Sequence, residues 1–181
     1  MESIYEKKKQ LRRLVKERKQ QLTQEEITSK SEAICEAIEC HPSFKQATTI
    51  MAYWSMSDEV QLQAYIPKWA KEKRIILPCV NKDELVLKVF EGVENLHDGD
   101  LYGIPEPKGE EFKDVESIDL IIVPGVAFDK QNNRMGRGKA YYDKLLRHSY
   151  SQKIGICFNI QYFDEVPYDE LDVKMNEVIY A

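Results

Sequence analysis

The spacing of apolar residues changes near residue 42 and divides the chain into a helical first part and an alternating second part. Apolar residues within 11–22 recur every three or four positions, which predicts an amphipathic helix. Thr23 and Glu26 form a capping-box pattern ahead of a second stripe of the same kind at 27–38. Pro42 lies where this second stripe stops and is expected to end the helix.

After residue 42, short continuous apolar runs alternate with polar segments and with turns rich in glycine or proline. The apolar runs predict buried strands, and two of the intervening segments predict helices. We expect strands at 47–54, 74–80, 84–90, 118–126, 153–159 and 176–181, helices at 59–73 and from Arg137 onwards, and a loop at 99–114. Continuous apolar strands are typical of a parallel sheet that is covered on both faces. The expected fold class is therefore α/β: a three-layer sandwich with a mostly parallel central sheet and helices on both faces, forming a single domain over 1–181.

Three loops are expected at the carboxyl ends of the predicted strands, where ligands of open α/β sheets usually bind. They are residues 54–59, the loop after Val123 and the segment after Phe158. We expect these loops to meet at one edge of the sheet and to form a site.

Composition argues against several functional classes. The net charge of -5 and the pI near 5.4 argue against a broad nucleic-acid-binding surface, although the first twenty residues are locally basic. No apolar stretch approaches the roughly 20 residues that cross a bilayer, and the basic N-terminus is not followed by the apolar core of a signal peptide. The four cysteines and three histidines lack zinc-site spacings. We therefore expect reduced, mostly buried thiols in a cytoplasmic protein.

The sequence NRMGRGKAYYDKLL at 133–146 follows the most apolar of the predicted strands. It departs from the P-loop at Asn133, where a glycine is needed, and from the dinucleotide fingerprint at Tyr141. Two glycines nevertheless allow close approach to the backbone, and three basic residues within six positions suit a polyphosphate. These residues are Gly136 and Gly138, and Arg134, Arg137 and Lys139. A glycine turn with solvated basic side chains explains the same pattern, so the spacing leaves both interpretations open.

Two other regions suggest phosphate or metal chemistry. Lys8 and Arg12 lie one turn apart on the first predicted helix and can reach an anion, although a solvated helix face is the alternative. Asp143 is a candidate magnesium ligand, because Mg²⁺ commonly takes one or two carboxylates together with phosphate oxygens. A surface aspartate paired with a nearby basic residue is the alternative. Asp172, which precedes the last predicted strand, matters only in combination with these residues.

The segment AYWSMSDEVQL at 52–62 places aromatic, thioether and acidic side chains at a strand end. Trp54 and Met56 can form an apolar wall for a flat heterocycle, and Glu59 can accept hydrogen bonds from a guanidine-like edge of the same ring. The alternative is that these are core residues, followed by Asp58 and Glu59 at the start of the next helix.

Together, four blocks of sequence resemble the 5-formyltetrahydrofolate cyclo-ligase family, also called methenyltetrahydrofolate synthetases. In chain order they are KKQLR, WSMSDEV, VPGVAFDKQNNRMGRGKAYYDKLL and DVKMNEV, and the resemblance extends over about 8–180. Ala140 departs from the family pattern, which commonly has glycine there, and Asn176 stands where an acid is frequent.

The resemblance implies an ATP- and Mg²⁺-dependent enzyme that closes 5-formyltetrahydrofolate to 5,10-methenyltetrahydrofolate, with release of ADP and phosphate, by phosphorylating the formyl oxygen. It also implies overlapping sets of site residues. Catalytic roles fall to Arg137, Lys139 and Tyr141; ATP binding to Lys8, Arg12, Arg134, Met135, Gly136, Arg137, Gly138, Lys139, Ala140, Tyr141 and Tyr142; folate binding to Trp54, Met56, Glu59, Arg137, Gly138, Lys139, Ala140 and Tyr141; and metal binding to Asp143 and Asp172. We expect small-molecule substrates, no nucleic-acid or membrane partner, and a monomer. The alternative function is a non-catalytic relative of the same fold that binds folate or nucleotide.

Overall fold

A computed structural model describes residues 3–82, 84–99 and 103–181 of the chain. The helices are α1 (Ile4–Lys19), α2 (Gln24–Cys40), α3 (Pro42–Gln46), α4 (Tyr65–Trp69) and α5 (Tyr141–Leu146). The strands are β1 (Thr49–Met51), β2 (Arg74–Asn81), β3 (Glu84–Val89), β4 (Leu96–Asp98), β5 (Pro105–Pro107), β6 (Leu120–Pro124), β7 (Ala127–Asp129), β8 (Arg134–Met135), β9 (Gln152–Cys157), β10 (Tyr162–Phe163) and β11 (Glu177–Tyr180). The two long helices precede all of these strands, as the apolar spacing predicts.

The central sheet has six strands in the order β11-β9-β6-β1-β2-β3. Its strands pair in parallel, except that β3 pairs antiparallel with β2 in a hairpin at one edge. The described residues also form a three-stranded sheet, β10-β7-β8, and a two-stranded sheet, β4-β5. The predicted mostly parallel central sheet is therefore confirmed.

Different helices cover the two faces of the central sheet. Successive residues of a strand point to opposite faces. Ile50 and Leu120 accordingly pack with α2, α3 and α4, whereas Met51 and Ile121 pack on the other face with Leu146 of α5. The predicted three-layer α/β architecture is confirmed.

The boundaries of α2 follow from local sequence. The Thr23 hydroxyl accepts a hydrogen bond from the Glu26 backbone N–H at 3.2 Å, and the Glu26 carboxylate accepts one from the Thr23 N–H at 2.8 Å. This is the predicted capping box. Pro42 follows the end of α2 and also begins α3, where its missing N–H costs no helical hydrogen bond.

The helix predicted over 59–73 is wrong for most of its length, since only the five residues of α4 are helical there. Val60 and Leu62 are buried but not helical, and their backbone groups form hydrogen bonds with a side chain rather than within a helix. The Ser55 hydroxyl donates to the Val60 carbonyl oxygen at 2.7 Å and accepts from the Leu62 N–H at 2.8 Å. A side chain that satisfies backbone groups in this way competes with helix formation.

The helix predicted from Arg137 also begins later than expected, at Tyr141. Gly138 has φ +102° and Ala140 has φ +55°, so the backbone is in the left-handed region where a right-handed helix would have to continue. Two smaller differences concern strands. The strand predicted at 47–54 is reduced to β1, and β5 lies within the loop predicted at 99–114.

All four cysteines are free, and three of them, Cys35, Cys79 and Cys157, are buried, whereas Cys40 is exposed. Burial raises the pKa of Cys35 and Cys157 to about 12 and that of Cys79 to about 11. The buried thiols are therefore protonated at neutral pH and unreactive. Within the described ranges, no helix is both long and apolar enough to cross a membrane.

Candidate active site

A cavity of about 690 Å³ lies at the carboxyl ends of β1, β2 and β6. Its wall comes from α1, the segment after β1, the end of β2, the loop between β8 and α5, α5 itself and residues 169–172. The cavity brings together every site residue that the resemblance implies: Lys8, Arg12, Trp54, Met56, Glu59, Arg134, Met135, Gly136, Arg137, Gly138, Lys139, Ala140, Tyr141, Tyr142, Asp143 and Asp172.

All three loops expected at this edge contribute to the cavity, but the segment after Phe158 does so only through its later part. Asp169, Leu171 and Asp172 line the cavity, whereas the start of the segment supports the loop that follows β6. The Gln161 side-chain amide donates to the carbonyl oxygens of Gly125 at 2.9 Å and Val126 at 3.0 Å. The expectation that the three loops meet at one edge is therefore confirmed, and the residues around Gln161 act behind the cavity wall.

The cavity wall carries more positive than negative charge, although the whole chain has a net charge of -5. Among the described residues, seven basic side chains and four acidic ones line it. They are Lys8, Arg12, Arg134, Arg137, Lys139, Lys144 and Arg147, and Glu59, Asp143, Asp169 and Asp172. A concave surface with such an excess concentrates anionic ligands.

Helix α1 places two of these cations at the cavity because its apolar side packs on the three-stranded sheet β10-β7-β8. Val15 is buried against Met135 of β8 and its neighbours. Lys8 and Arg12 therefore face the cavity, and the Arg12 Nε–H donates to the Gly136 carbonyl oxygen at 3.0 Å. The interpretation of these two residues as a solvated helix face is wrong.

Lys8, near the start of the chain, pairs with two carboxylates close to its end. Its Nζ lies 2.7 Å from Asp169 Oδ2 and 2.6 Å from Asp172 Oδ2. Burial lowers the pKa of Lys8, but the two carboxylates outweigh this effect and the net pKa is raised. Asp169 is a site residue that sequence reasoning missed, because nothing in its local pattern distinguishes it from other acidic residues of this segment.

A buried carboxylate holds the chain that leads into the glycine loop (residues 136–140). Asp129 is fully buried, and its Oδ1 accepts hydrogen bonds from the backbone N–H groups of Gln131 and Asn133, both at 2.9 Å. Its Oδ2 accepts from the Asn133 side-chain amide and the Val166 N–H, again at 2.9 Å. These four hydrogen bonds satisfy the buried charge. They also fix the β7–β8 turn, from which the glycine loop extends.

Asp143 is buried and paired with Arg134, so the interpretation of it as a surface aspartate is wrong. Its Oδ2 lies 2.8 Å from Arg134 Nη2, and its Oδ1 accepts from the Val173 N–H at 3.1 Å. The side chains of Asp143 and Arg134 are only 10% and 3% exposed. Arg134 also donates to the Pro124 carbonyl oxygen at 3.2 Å, while its buried Nε has no hydrogen-bond partner among the described residues.

The donor atoms of Asp143 and Asp172 fit magnesium only in part. Carboxylate oxygens are the ligands that Mg²⁺ prefers, but Asp143 already faces Arg134 and Asp172 already faces Lys8. Over residues 3–82, 84–99 and 103–181, no group of three or more His, Cys, Asp or Glu side chains forms a metal site. The site therefore suits a metal ion that arrives with most of its coordination supplied by phosphate oxygens and water.

The segment after β1 forms the apolar side of the cavity. Trp54 stacks on Phe90 with ring centroids 6.1 Å apart, and Met56 lines the cavity beside it. Glu59 does not begin a helix; its Oε2 accepts from the Met56 N–H at 2.9 Å, and its Oε1 lies 3.2 Å from Arg137 Nη2. The interpretation of this segment as a helix start is wrong.

Tyr141 and Tyr142 differ in environment although they are adjacent. The Tyr141 hydroxyl donates to the Lys82 carbonyl oxygen at 3.2 Å, at the turn of the β2–β3 hairpin. Burial raises the pKa of Tyr142, whose ring lies 5.6 Å from the Arg134 guanidinium carbon. Tyr141 therefore links the glycine-loop side of the cavity to the hairpin.

An α/β fold with a cavity at the carboxyl ends of its strands, one wall basic and the other apolar, is typical of an enzyme that acts on a small molecule. Comparison with known proteins gives the family. Residues 4–181 match the sequence profile of the 5-formyltetrahydrofolate cyclo-ligase family, and the chain belongs to this family. The family and the enzyme class implied by the sequence resemblance are thereby confirmed.

Individual relatives are similar over almost their whole length. A probable 5-formyltetrahydrofolate cyclo-ligase of Schizosaccharomyces pombe is 33% identical, covering 96% of this chain and 94% of the relative. A probable 5-formyltetrahydrofolate cyclo-ligase of Caenorhabditis elegans is 30% identical, covering 99% of this chain and 95% of the relative. The solved structure of Aquifex aeolicus 5,10-methenyltetrahydrofolate synthetase superposes with a TM-score of 0.86 at 34% identity, covering 96% of this chain and 89% of that one. The structure of a 5,10-methenyltetrahydrofolate synthetase from Mycoplasma pneumoniae superposes with a TM-score of 0.75 at 25% identity, covering 95% of this chain and 97% of that one.

Proposed function

We propose that the protein catalyses the ATP- and Mg²⁺-dependent conversion of 5-formyltetrahydrofolate to 5,10-methenyltetrahydrofolate, with release of ADP and phosphate. The observation that carries this proposal is the continuity of one cavity from the basic wall of α1 and the glycine loop to the apolar wall at Trp54. A cavity of this form can hold a polyphosphate and a flat heterocycle side by side. Family membership supports the choice of folate as the heterocycle.

The reaction needs activation of a formamide oxygen, which is a very poor leaving group. Transfer of the γ-phosphoryl group breaks its bond to ADP and forms a bond to the formyl oxygen. N10 of the folate then attacks the formyl carbon, its proton is lost, and the oxygen leaves as phosphate. Phosphoryl transfer depends chiefly on positioning and on charge neutralisation, so a side-chain nucleophile is not required.

The basic wall provides that neutralisation. We assign ATP binding to Lys8, Arg12 and the segment 134–142, in which Lys139 is exposed and lines the cavity. Arg12 lies against the glycine loop through its bond to the Gly136 carbonyl oxygen, so it can contact phosphate without moving far. Fixed cations that surround transferring phosphoryl oxygens stabilise the charge in the transition state.

Folate binding is assigned to the apolar wall and its acidic edge. Trp54 and Met56 pack against the ring, Glu59 accepts hydrogen bonds from the pterin N–H edge, and residues 137–141 lie between the ring and the phosphates. Arg137 and Lys139 stabilise the transferred group, and Tyr141 lies beside the formyl group. Arg137 already contacts Glu59 at 3.2 Å, which supports its place between the two subsites.

Magnesium would be held by Asp172 and Asp143 together with phosphate oxygens, and it would supply neutralisation of the triphosphate charge. Asp172 is the more accessible of the two carboxylates, since its side chain is 18% exposed and Asp143 is buried. Asp143 also fixes Arg134, and this role is independent of metal.

The test is to mix the purified protein with 5-formyltetrahydrofolate, ATP and Mg²⁺, and to follow methenyl-folate absorbance and ADP together. We expect equal amounts of both products, and only when all three components are present. A Lys139→Met variant removes a charge that the proposal assigns to the transferred group, and it should lower turnover without affecting folding, because the Lys139 side chain is exposed. Methenyl-folate formation without ATP would refute the proposal.

The rival is a non-catalytic relative that binds folate and ATP without turnover, and Ala140 is the observation that favours it. The family commonly has glycine at this left-handed position. Binding of both ligands without ADP release would support the rival, and restoration of turnover by Ala140→Gly would identify the cause.

A further inference from the structure

Arg137 forms an ion pair with Glu59, the carboxylate to which the proposed function assigns the pterin. Its Nη2 lies 3.2 Å from Glu59 Oε1 and 3.1 Å from Asp58 Oδ1. The Glu59 side chain is only 14% exposed, whereas those of Asp58 and Arg137 are about half exposed. In the free protein, Glu59 is therefore already satisfied by a cationic donor from the glycine loop.

The guanidinium group and the pterin edge make the same kind of contact. Each presents N–H donors on nitrogens that share one carbon, and such a pair matches the two oxygens of a carboxylate. Glu59 Oε2 is already held by the Met56 N–H at 2.9 Å, so Oε1 is the oxygen that remains for an incoming group. Arg137 and a bound pterin would thus compete for the same atom.

Asp58 differs from Glu59 because it is anchored from the other side. Lys19 Nζ lies 3.3 Å from Asp58 Oδ2, and the Lys19 side chain is only 10% exposed. Burial raises the pKa of Asp58, but Lys19 and Arg137 outweigh it and the net pKa is lowered, so Asp58 remains ionised. Asp58 can therefore keep hold of Arg137 when Glu59 changes partner.

We propose that Asp58 is a positioning residue that retains Arg137 at the cavity after the folate displaces it from Glu59. This inference rests on the proposed function, because it takes Glu59 as the acceptor of the pterin edge. Before folate binds, Arg137 is shared between two carboxylates; afterwards it is held by Asp58 alone and its remaining N–H groups are free for the phosphoryl group.

The test measures binding of 5-formyltetrahydrofolate without ATP, by calorimetry, and then turnover. Removal of the competitor in Arg137→Ala should tighten the folate Kd by roughly two- to fivefold, since half-exposed ion pairs are weak. Asp58→Asn should weaken folate binding by a similar factor and lower kcat, because Arg137 then pairs with Glu59 only. Asp58→Glu should restore kcat. In the Arg137→Ala background, Asp58→Asn should have no effect on folate binding.

The controls separate other roles of Asp58. Lys19→Met removes the other partner of Asp58 and should change folate affinity less than Asp58→Asn does. Arg13→Ala removes an exposed arginine whose ion pair with Glu17 lies within α1, and it should leave affinity unchanged. A thermal unfolding curve for each variant establishes that it is folded.

Two results would overturn the inference while leaving the proposed function intact. One is weaker folate binding by Arg137→Ala, which would make Arg137 a folate ligand in the ground state. The other is an Asp58→Asn effect of equal size in both backgrounds, which would mean that Asp58 acts independently of Arg137. Failure of the wild-type protein to bind folate, or a Glu59→Gln variant that binds it normally, would instead overturn the proposed function.

Discussion

Replacement of Asp143 by alanine tests the buried ion pair most directly. The variant leaves the Arg134 guanidinium, in a side chain that is 3% exposed, without its carboxylate, and it also removes the acceptor of the Val173 N–H. Loss of one partner of a buried ion pair typically costs about 3–5 kcal/mol. For a chain of this size each kcal/mol lowers Tm by about 2–4 °C, so we expect a fall of roughly 6–20 °C.

The assay is urea unfolding followed by circular dichroism, with Asp172→Ala as the comparison. Asp172 is also paired with a lysine, but Lys8 keeps Asp169 at 2.7 Å when Asp172 is removed. We therefore expect Asp172→Ala to cost about 1 kcal/mol, in the range of one ordinary hydrogen bond. A free energy of unfolding for Asp143→Ala within 1 kcal/mol of wild type would refute the reasoning from burial.

A double variant separates stability from activity at this position. Arg134→Met with Asp143→Leu removes both charges and fills the space with apolar atoms, which is often neutral or stabilising for a buried pair. We expect it to recover most of the lost stability, while turnover stays about 10²–10³ below wild type because phosphate and metal placement is lost. Near-normal turnover at saturating Mg²⁺ would show that Asp143 has only a structural role.

Three further variants probe other parts of the molecule. Lys8→Ala should raise the KM for ATP about tenfold with a smaller change in kcat, as expected for a lost charge-assisted hydrogen bond. An unchanged KM in steady-state assays would refute the assignment of Lys8 to ATP binding. Ala140→Gly should raise the free energy of unfolding by about 1 kcal/mol, because Ala140 has φ +55°, and lower stability of the variant in urea would contradict this. Hydrogen bonds from the backbone N–H groups of Thr49 and Thr48 hold the pKa of Asp119 below the ordinary value of an aspartate. Its stabilisation is therefore present above the ordinary pKa of an aspartate and lost as pH falls through the lower folded-state pKa. The difference in stability between wild type and Asp119→Asn should accordingly close in acid, and a difference that widens on acidification would refute this reasoning.

Features that depend on a few adjacent residues were predictable from the sequence. The capping box at Thr23 is one, since its two hydrogen bonds join residues three positions apart. The strand β6 is another, because its residues are buried on both faces and so form a continuous apolar run. Family resemblance, rather than periodicity, brought Lys8 and Asp172 into one site.

Features that depend on distant partners were not predictable. The segment at Val60 has an apolar pattern that fits a helix, but Ser55 satisfies its backbone in another conformation. Asp169 pairs with Lys8, which is 161 residues away in the sequence. Asp58 gains its importance from Lys19 and Arg137, and no local spacing indicates that these three side chains meet.

The ion pairs of Lys8 tie the first turns of the chain to its last twenty residues. During synthesis, a nascent chain cannot form both ion pairs until residue 172 has left the ribosome, however well the sheet has already formed. The same tie links ligand affinity to fraying of the N-terminal helix, because a ligand that needs Lys8 binds only to molecules in which α1 is docked. Saturating ATP should accordingly protect α1 from proteolysis more than it protects α2.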